Sequence, residues 1–258
     1  MLETLHATRY VTPLREGGSL PALVEADDDG LYVLKFRGAG QGTKALIAEL
    51  IAGELARAIG LPVPRLAFMQ LDPTLGRNEP DYEIRTLIEA SGGLNFAMDY
   101  LPGSITFDPL ANHVDTQLAS QIVWFDAYIM NVDRTARNTN MLIWHKKLYL
   151  IDHGASLFFH HQWTTAHEKI ESPFANIKDH VLLKVATALP EAGEKIKSMI
   201  TKELIHSIVS LIPDDWMESD PIFENPHSHR EGYANFLERR LAASHIFEQE
   251  AIRARNNL

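Results

Sequence analysis

The chain has 258 residues, 45% of them hydrophobic and 22% charged, with a formal net charge of -10 at pH 7. These values are typical of a folded globular protein, and the acidic balance disfavours nucleic-acid binding because a phosphate backbone would be repelled. The absence of cysteine excludes disulfides, thiolate metal sites and cysteine nucleophiles. With no run near the ~18 apolar residues of a membrane span and no secretory signal, we expect a cytoplasmic protein without nucleic-acid or membrane partners.

The first part of the chain predicts short strands joined by turns rich in glycine and aspartate. These strands are expected at residues 9–11, 20–25 and 31–36. The first turn contains Gly17, Gly18 and Ser19, whose backbone N–H groups can approach phosphate oxygens, although a plain hairpin turn has the same composition. Lys35 lies inside the third apolar run, where a lysine is costly unless it is exposed or paired.

The spacing of apolar residues predicts a helix over residues 43–59, with Gly60 as its stop. Its apolar face repeats every four residues at Ile47, Ile51, Leu55 and Ile59. A stripe of alanines beside this face would let the helix lie close to a sheet. Glu49 borders the stripe and can point toward Lys35, with Glu54 as the competing candidate and a solvated glutamate as the alternative.

Two further strands are predicted at residues 66–70 and 82–90, separated by a surface loop over residues 72–81 that is rich in proline and glycine. The next segment, residues 96–103, is apolar and ends in a proline–glycine break. It is the best candidate for a hinge between two lobes, and an ordinary strand and turn is the alternative.

After residue 108 the pattern becomes helical. Helices are predicted at residues 114–130, 177–188, 194–211 and 231–251. The sequence therefore predicts an α+β fold with a sheet-containing part at residues 1–105 and a mainly helical part at residues 106–258.

A short hairpin is predicted directly after the helix that ends near residue 130. Its strands lie at residues 141–144 and 148–151. A three-residue turn centred on Lys146 would place Asp152 across from Asn140 and within a residue or two of Asn138. Asp133, which precedes the hairpin, would then share one pocket with Asn138 and Asp152.

These side chains suit phosphoryl transfer. Carboxylate and amide oxygens are suitable ligands for Mg²⁺, which leaves its other positions to water and substrate phosphates. A further carboxylate can accept the proton of a hydroxyl nucleophile. For any one of these residues, capping of a turn is the alternative explanation.

The pattern D-R-x-x-x-N, then a hairpin, then apolar-apolar-D-x-G resembles the catalytic and metal-binding loops of kinase-fold enzymes. It looks most like the HipA-like kinases, with phosphoinositide-kinase-like families as more distant relatives. The resemblance implies a two-lobe protein-kinase-like fold, in which a small lobe of β-sheet and C-helix precedes a mainly helical lobe. It also implies ATP- and Mg²⁺-dependent transfer of the γ-phosphoryl group to a hydroxyl, with protein serine or threonine as the first choice.

Carried over by position, the resemblance implies a role for each candidate residue. The catalytic residues are Asp133 as base and Arg137, which is available to meet a phosphate. The metal ligands are Asn138 and Asp152. The nucleotide-binding residues are Gly17, Gly18, Ser19, Lys35, Glu49, Met98, Tyr100 and Leu101, the last three through hinge backbone against adenine. One departure is Thr135, which stands where these families commonly have histidine.

Alternatives from other classes stay open on the sequence. The chain can be a kinase-fold nucleotide-binding pseudoenzyme, or its acceptor can be a lipid or a small-molecule hydroxyl. A metal-dependent hydrolase is a further alternative, suggested by the cluster His153, His160, His161 and His167. An antitoxin-type protein partner is implied by the family resemblance alone.

Overall fold

The computed structural model describes residues 2–14, 20–40, 42–217 and 220–258. Five strands form a closed barrel in the order β1-β2-β3-β5-β4. They are β1 (Glu3–Pro13), β2 (Ala22–Ala26), β3 (Leu31–Lys35), β4 (Leu66–Leu71) and β5 (Gly93–Asp99). Neighbouring strands are antiparallel except for β1 and β4, whose parallel pairing closes the barrel. Period-2 burial along β2 and β3 fills its interior with Val24 and Leu34.

Helix α1 (Gly42–Ala58) packs against the barrel and positions Glu49. It ends where Gly60 adopts a left-handed φ of +79° and the Leu61 N–H donates to the Ala56 carbonyl at 2.9 Å. Gly53 brings α1 close to β4, because a Cβ at this position would lie 2.6 Å from the Leu66 side chain. The small residues of α1 therefore allow the close helix–sheet contact that the sequence predicts.

Residues 82–90 form a helix, so the predicted strand is wrong there. Helix α2 (Tyr82–Ala90) begins after Asp81, whose side chain accepts the Glu83 N–H at 3.0 Å. Its two buried apolar residues, Ile84 and Ile88, are four positions apart and face the barrel core. Helical spacing and an N-cap outweigh the strand-like composition of this segment.

The second lobe begins with a three-stranded sheet in the order β6-β7-β8 and a buried helix. These elements are β6 (Ile105–Thr106), α3 (Thr116–Tyr128), β7 (Met141–Trp144) and β8 (Lys147–Leu150). The hairpin turn has two residues, His145 and Lys146, with φ of 47° and 64°. Positive φ at both positions is the type I′ geometry, so the predicted three-residue turn is wrong and the register shifts by one. The register pairs Met141 with Leu150, so its continuation places Asp152 across from Thr139 instead of Asn140.

The remaining helices are α4 (Ala166–Lys169), α5 (Leu189–Met199), α6 (Lys202–Val209), α7 (Pro226–Ala242) and α8 (Ser244–Asn256). Of these, α5 and α8 pack directly against α3, and α6 packs against α7. From Ala119 onward α3 is almost completely buried. Two predicted helices each divide in two. The break at Ile200 has a local cause, because Thr201 caps α6 by accepting the Leu204 N–H at 3.2 Å. The second break falls at Ala243, between α7 and α8.

The predicted helix over residues 177–188 is also wrong. This segment contains only short 3₁₀ turns, Ala175–Asp179 and Leu183–Val185. Between them His180 is extended and forms a β-bridge with Thr135. Pairing with a distant part of the chain has replaced local helical hydrogen bonds here.

The two lobes touch away from the hinge as well. Trp216 of the second lobe is fully buried, donates from Nε1 to the Leu94 carbonyl at 2.9 Å and lies edge-on to Phe68. The two-lobe α+β architecture is confirmed. In the described part of the chain, no helix combines the length and apolar character needed to cross a membrane.

Candidate active site

Lys35 joins two carboxylates in a cluster between the lobes. It is the last residue of β3, and its Nζ donates to Glu49 Oε1 of α1 and, at 2.7 Å, to Asp152 Oδ1. The side chains of Lys35 and Glu49 are 11% and 2% exposed, whereas that of Asp152 is 49% exposed. The structure thus brings three predicted site residues together, in a cluster that is buried on the Glu49 side and open on the Asp152 side.

The charges of this cluster depend on one another. The positive charge of Lys35 lowers the pKa of Asp152 to about 2, so Asp152 is ionised at neutral pH. Burial alone would lower the pKa of Lys35, but the two carboxylates raise it overall. Burial raises the pKa of Glu49 against the opposing effect of Lys35. Gly154 belongs to this arrangement, because a Cβ there would lie 3.2 Å from Glu49 Oε1.

Asp133 lies in the loop between α3 and β7, where neighbouring amides hold its carboxylate. Oδ2 accepts hydrogen bonds from Asn138 Nδ2 at 2.7 Å and Asn140 Nδ2 at 3.2 Å. The backbone N–H of Asp133 donates to Asn131 Oδ1 at 3.1 Å. Oδ1 of Asp133 accepts no hydrogen bond from the described residues. One carboxylate oxygen is therefore fixed, and the other is left to accept a proton.

Asn138 and Asp152 supply oxygen atoms on neighbouring loops. Because Asn138 directs its NH₂ group to Asp133, its carbonyl oxygen is left for another ligand. The Ile151 N–H donates to the Asn140 carbonyl at 3.0 Å, which brings the start of the Asp152 loop alongside the Asn138 loop. Among the described residues, no three His, Asp or Glu side chains converge in a group that could hold a metal ion. The histidine-based hydrolase therefore gains no support, whereas amide and carboxylate oxygens are typical ligands of hard divalent cations.

A buried arginine that the sequence reasoning missed supports this loop. Arg134 donates from Nε to Asp126 Oδ2 at 2.6 Å and from Nη1 to the Asn140 carbonyl. Burial alone would raise the pKa of Asp126, but Arg134 and His180 hold it well below its usual range. The signal available in the sequence was the arginine that directly follows Asp133 in the D-R-x-x-x-N motif. If that arginine is buried, its guanidinium group requires hydrogen-bond acceptors nearby.

The predicted hinge residues lie at the end of β5 and just beyond it. Met98 and Leu101 are buried, and the Tyr100 N–H is already used by the Leu31 carbonyl at 2.9 Å. The Leu101 N–H donates to no residue in the described ranges, although its carbonyl accepts the Ser104 N–H at 3.1 Å. Of the three, Leu101 offers the backbone donor that is open to a ligand.

Two further predictions remain predictions. Arg137 is exposed and makes no hydrogen bond or ion pair with a described residue, so it stays a prediction. Gly17, Gly18 and Ser19 lie outside the described residues. Their proposed contact with phosphates is also still a prediction.

A family model for HipA-like kinases matches residues 8–253, nearly the whole chain. The chain belongs to the HipA-like kinase family. None of the curated proteins compared with this HipA-like kinase matches it. The family membership confirms that the chain is a kinase-family protein, and the finer assignments above rest on its own residues.

Solved kinase structures share the fold of this HipA-like kinase. The crystal structure of a Helicobacter pylori proinflammatory kinase, CtkA, superimposes with a TM-score of 0.58 at 13% identity and covers 98% of each chain. The crystal structure of the Golgi casein kinase gives a TM-score of 0.51 at 12% identity, covering 96% of this chain and 73% of that one. At such identities the likeness shows a common kinase fold and nothing about substrate.

Proposed function

We propose that this HipA-like kinase transfers the γ-phosphoryl group of ATP to a hydroxyl group in an Mg²⁺-dependent reaction. The observation that carries the proposal is that Asn138 is bonded to Asp133 at 2.7 Å, while Asp152 lies on the adjacent loop, which the Ile151 N–H ties to the Asn140 carbonyl at 3.0 Å. Residues 1–105 would bind the nucleotide, and residues 106–258 would carry the catalytic loop.

Asp133 is the proposed general base. Its Oδ2 is fixed by two amides, so Oδ1 can take the proton of an incoming hydroxyl. The hydroxyl oxygen then forms a bond to the γ-phosphorus, and the bond from that phosphorus to the oxygen of the ADP leaving group breaks. The proton resides on Asp133 until it is lost to solvent, so atoms and charge balance.

Asn138 and Asp152 are the residues that would hold Mg²⁺. The fit rests on donor chemistry, since both are oxygen ligands and the low pKa of Asp152 keeps it ionised. The ion would supply positive charge that neutralises the phosphate oxygens during transfer. Lys35 would bind the phosphates, with its ammonium group held in place by Glu49. The Leu101 N–H would donate a hydrogen bond to adenine. The exposed Arg137 would meet a phosphate.

The proposed acceptor is a serine or threonine of a protein, on the strength of the family relationship. A lipid or small-molecule hydroxyl is the next choice. If ATP binds without any transfer, the chain is instead a nucleotide-binding pseudoenzyme of the same fold.

The direct test is incubation with γ-labelled ATP and Mg²⁺, followed by mass spectrometry of the protein for phosphoserine and phosphothreonine. Matched samples contain a chelator or the Asp133→Asn variant. We expect label on a hydroxyl residue only in the sample with Mg²⁺ and unaltered Asp133. Absence of transfer to the protein, to added protein acceptors and to small alcohols alike would contradict a kinase activity.

A further inference from the structure

A second charged cluster lies behind the Asp133 loop and is closed to solvent. Its members are Asp126, Arg134 and His180, whose side chains are 0%, 0% and 3% exposed. Oδ2 of Asp126 accepts from Arg134 Nε at 2.6 Å and lies 2.9 Å from His180 Nε2. Oδ1 of Asp126 accepts from Asn131 Nδ2 at 3.1 Å. Both carboxylate oxygens are therefore engaged.

The hydrogen bonds fix the tautomer of His180. The Leu182 N–H donates to His180 Nδ1 at 3.0 Å, so Nδ1 carries a lone pair. With no proton on Nδ1 the ring is neutral and holds a single proton, and burial favours the same form by lowering the pKa of His180 against the opposing effect of Asp126. That proton must be on Nε2, and His180 consequently donates to Asp126.

Both arms of this cluster lead to Asp133. Asn131 donates to Asp126 and accepts the Asp133 N–H at 3.1 Å. Arg134 holds the Asn140 carbonyl, and the Asn140 side chain donates to Asp133 Oδ2 at 3.2 Å. Asn131 thus links Asp126 to the backbone of Asp133. Arg134 and Asn140 together link Asp126 to the side chain of Asp133.

We propose that Asp126 and His180 are positioning residues for the proposed base. The hydrogen bond from His180 Nε2 orients the Asp126 carboxylate, Asp126 orients Asn131 and Arg134, and these two set the direction of Asp133 Oδ1. The inference rests on the proposed role of Asp133 in phosphoryl transfer. The competing explanation is that His180 only attaches residues 180–182 to the Asp133 loop. That attachment consists of the β-bridge between His180 and Thr135 and the hydrogen bond from the Val181 N–H to the Arg134 carbonyl at 3.1 Å.

Two substitutions at one position separate these explanations. His180→Asn keeps an acceptor near Nδ1 for the Leu182 N–H but loses the donor to Asp126. His180→Gln keeps a donor near Nε2 for Asp126 but loses the acceptor. Tyr128→Phe serves as a matched control on α3, because it removes a buried hydrogen bond from the hydroxyl to the Leu237 carbonyl at 3.1 Å. Among the described residues, that hydroxyl makes no hydrogen bond to the cluster.

The expected result is a selective loss of transfer in His180→Asn. Single-turnover transfer should fall about 10- to 100-fold, since a small misplacement of a reacting group has that effect. Affinity for Mg-ATP should stay close to wild type. His180→Gln and Tyr128→Phe should transfer phosphate at close to the wild-type rate once corrected for folded fraction. Equal rates in His180→Asn and His180→Gln would overturn the positioning role.

A readout independent of activity separates this inference from the proposed function. If wild type transfers no phosphate, the kinase proposal fails, and amide hydrogen exchange across residues 133–140 still decides the inference. His180→Asn should speed that exchange and His180→Gln should not; the same exchange in both would overturn it. If His180→Asn fails to fold, Asn131→Leu is used instead, because it removes the link from Asp126 to the Asp133 N–H. An unchanged transfer rate or exchange pattern in Asn131→Leu would also overturn the positioning role.

Discussion

Two charged clusters flank the Asp133 loop, and they differ in their access to solvent. In the closed cluster, Asp126 is surrounded by Arg134 and His180, and none of the three reaches solvent appreciably. In the open cluster, Lys35 and Glu49 are buried but about half of the Asp152 side chain is exposed. In the closed cluster a charge has no access to solvent that could replace its partner. The exposed Asp152 can leave Lys35 for a ligand that approaches from solvent.

The difference assigns separate tasks to the two clusters. Buried charges are strongly destabilising when one partner is removed, so the closed cluster favours one fixed geometry. At the open cluster, solvent weakens the contact between Asp152 and Lys35, and a change of partner costs less. The closed cluster is therefore suited to holding the loop, and the open cluster to binding.

The largest effect is expected at Asp133, which the closed cluster holds through Asn131 and Asn140. Asp133→Asn keeps the shape and the loop contacts but removes proton acceptance, so turnover should fall by about 10²- to 10⁴-fold. Mg-ATP affinity should change little, or tighten slightly because a negative charge is lost. Single-turnover transfer and nucleotide titration on one preparation measure both quantities, with the exposed Glu191→Gln in α5 as control. Undiminished transfer would mean that Asp133 only stabilises the turn and is not the base.

Lys35→Met should destabilise the protein through its buried partner. Glu49 is 2% exposed and would lose its ammonium partner, a loss that typically costs about 3–5 kcal/mol. Burial raises the folded-state pKa of Glu49, so the variant should be most stable below the ordinary glutamate pKa and lose stability as the pH rises. Chemical unfolding at several pH values checks this expectation.

Adding Glu49→Gln to Lys35→Met separates stability from binding. The double variant should recover most of the lost stability, because no buried charge is left unpaired. It should not recover nucleotide affinity. Recovery of affinity as well would mean that Lys35 has no direct contact with nucleotide.

Asp152 should decide how metal affects nucleotide binding. A ligand bound only to the native state stabilises it by about 2.7 kcal/mol at a hundredfold excess over its dissociation constant. We expect ATP to raise the melting temperature far more with Mg²⁺ than with chelator, and Asp152→Ala to abolish that difference. If Asp152→Ala keeps the full Mg²⁺-dependent rise in melting temperature, Asp152 does not bind the metal.

The smallest effect concerns three buried histidines. Burial lowers the pKa of His153 to about 3 and also lowers that of His180 and His160. Below pH 6.5 the unfolded chain therefore binds protons that the folded chain does not, and stability falls as the pH falls. The expected slope is about 1.4 kcal/mol per pH unit for each histidine. Urea unfolding between pH 7.5 and 5.5 should show a shallower slope in His180→Gln and in His160→Gln.

Local patterns were sufficient to predict much of the open cluster. The apolar repeat of α1 fixes which side of the helix faces the barrel, and this placed Glu49 within reach of Lys35. The hairpin brought Asp152 back toward Asn138 because a short turn leaves few possible registers. The contact between Lys35 and Asp152 themselves, 117 residues apart, had no such local signal.

The closed cluster depends on pairing between distant segments, which local patterns do not encode. His180 was placed inside a predicted helix, whereas its bridge to Thr135 and its bond to Asp126 hold it extended. The one-residue error in the hairpin has a similar origin. Neither His145 nor Lys146 is a residue that usually signals a type I′ turn, and the register is set by packing of the two strands.

The structure of the chain with Mg²⁺ and a non-hydrolysable ATP analogue tests the central claim most directly. We expect oxygens of Asn138 and Asp152 at about 2.1 Å from the metal, and Lys35 on the phosphates with Glu49 still beside it. The closed cluster should keep its distances of 2.6 Å from Asp126 to Arg134 and 2.9 Å from Asp126 to His180. Metal bound elsewhere, or Asp152 still paired with Lys35 beside a bound nucleotide, would contradict the account.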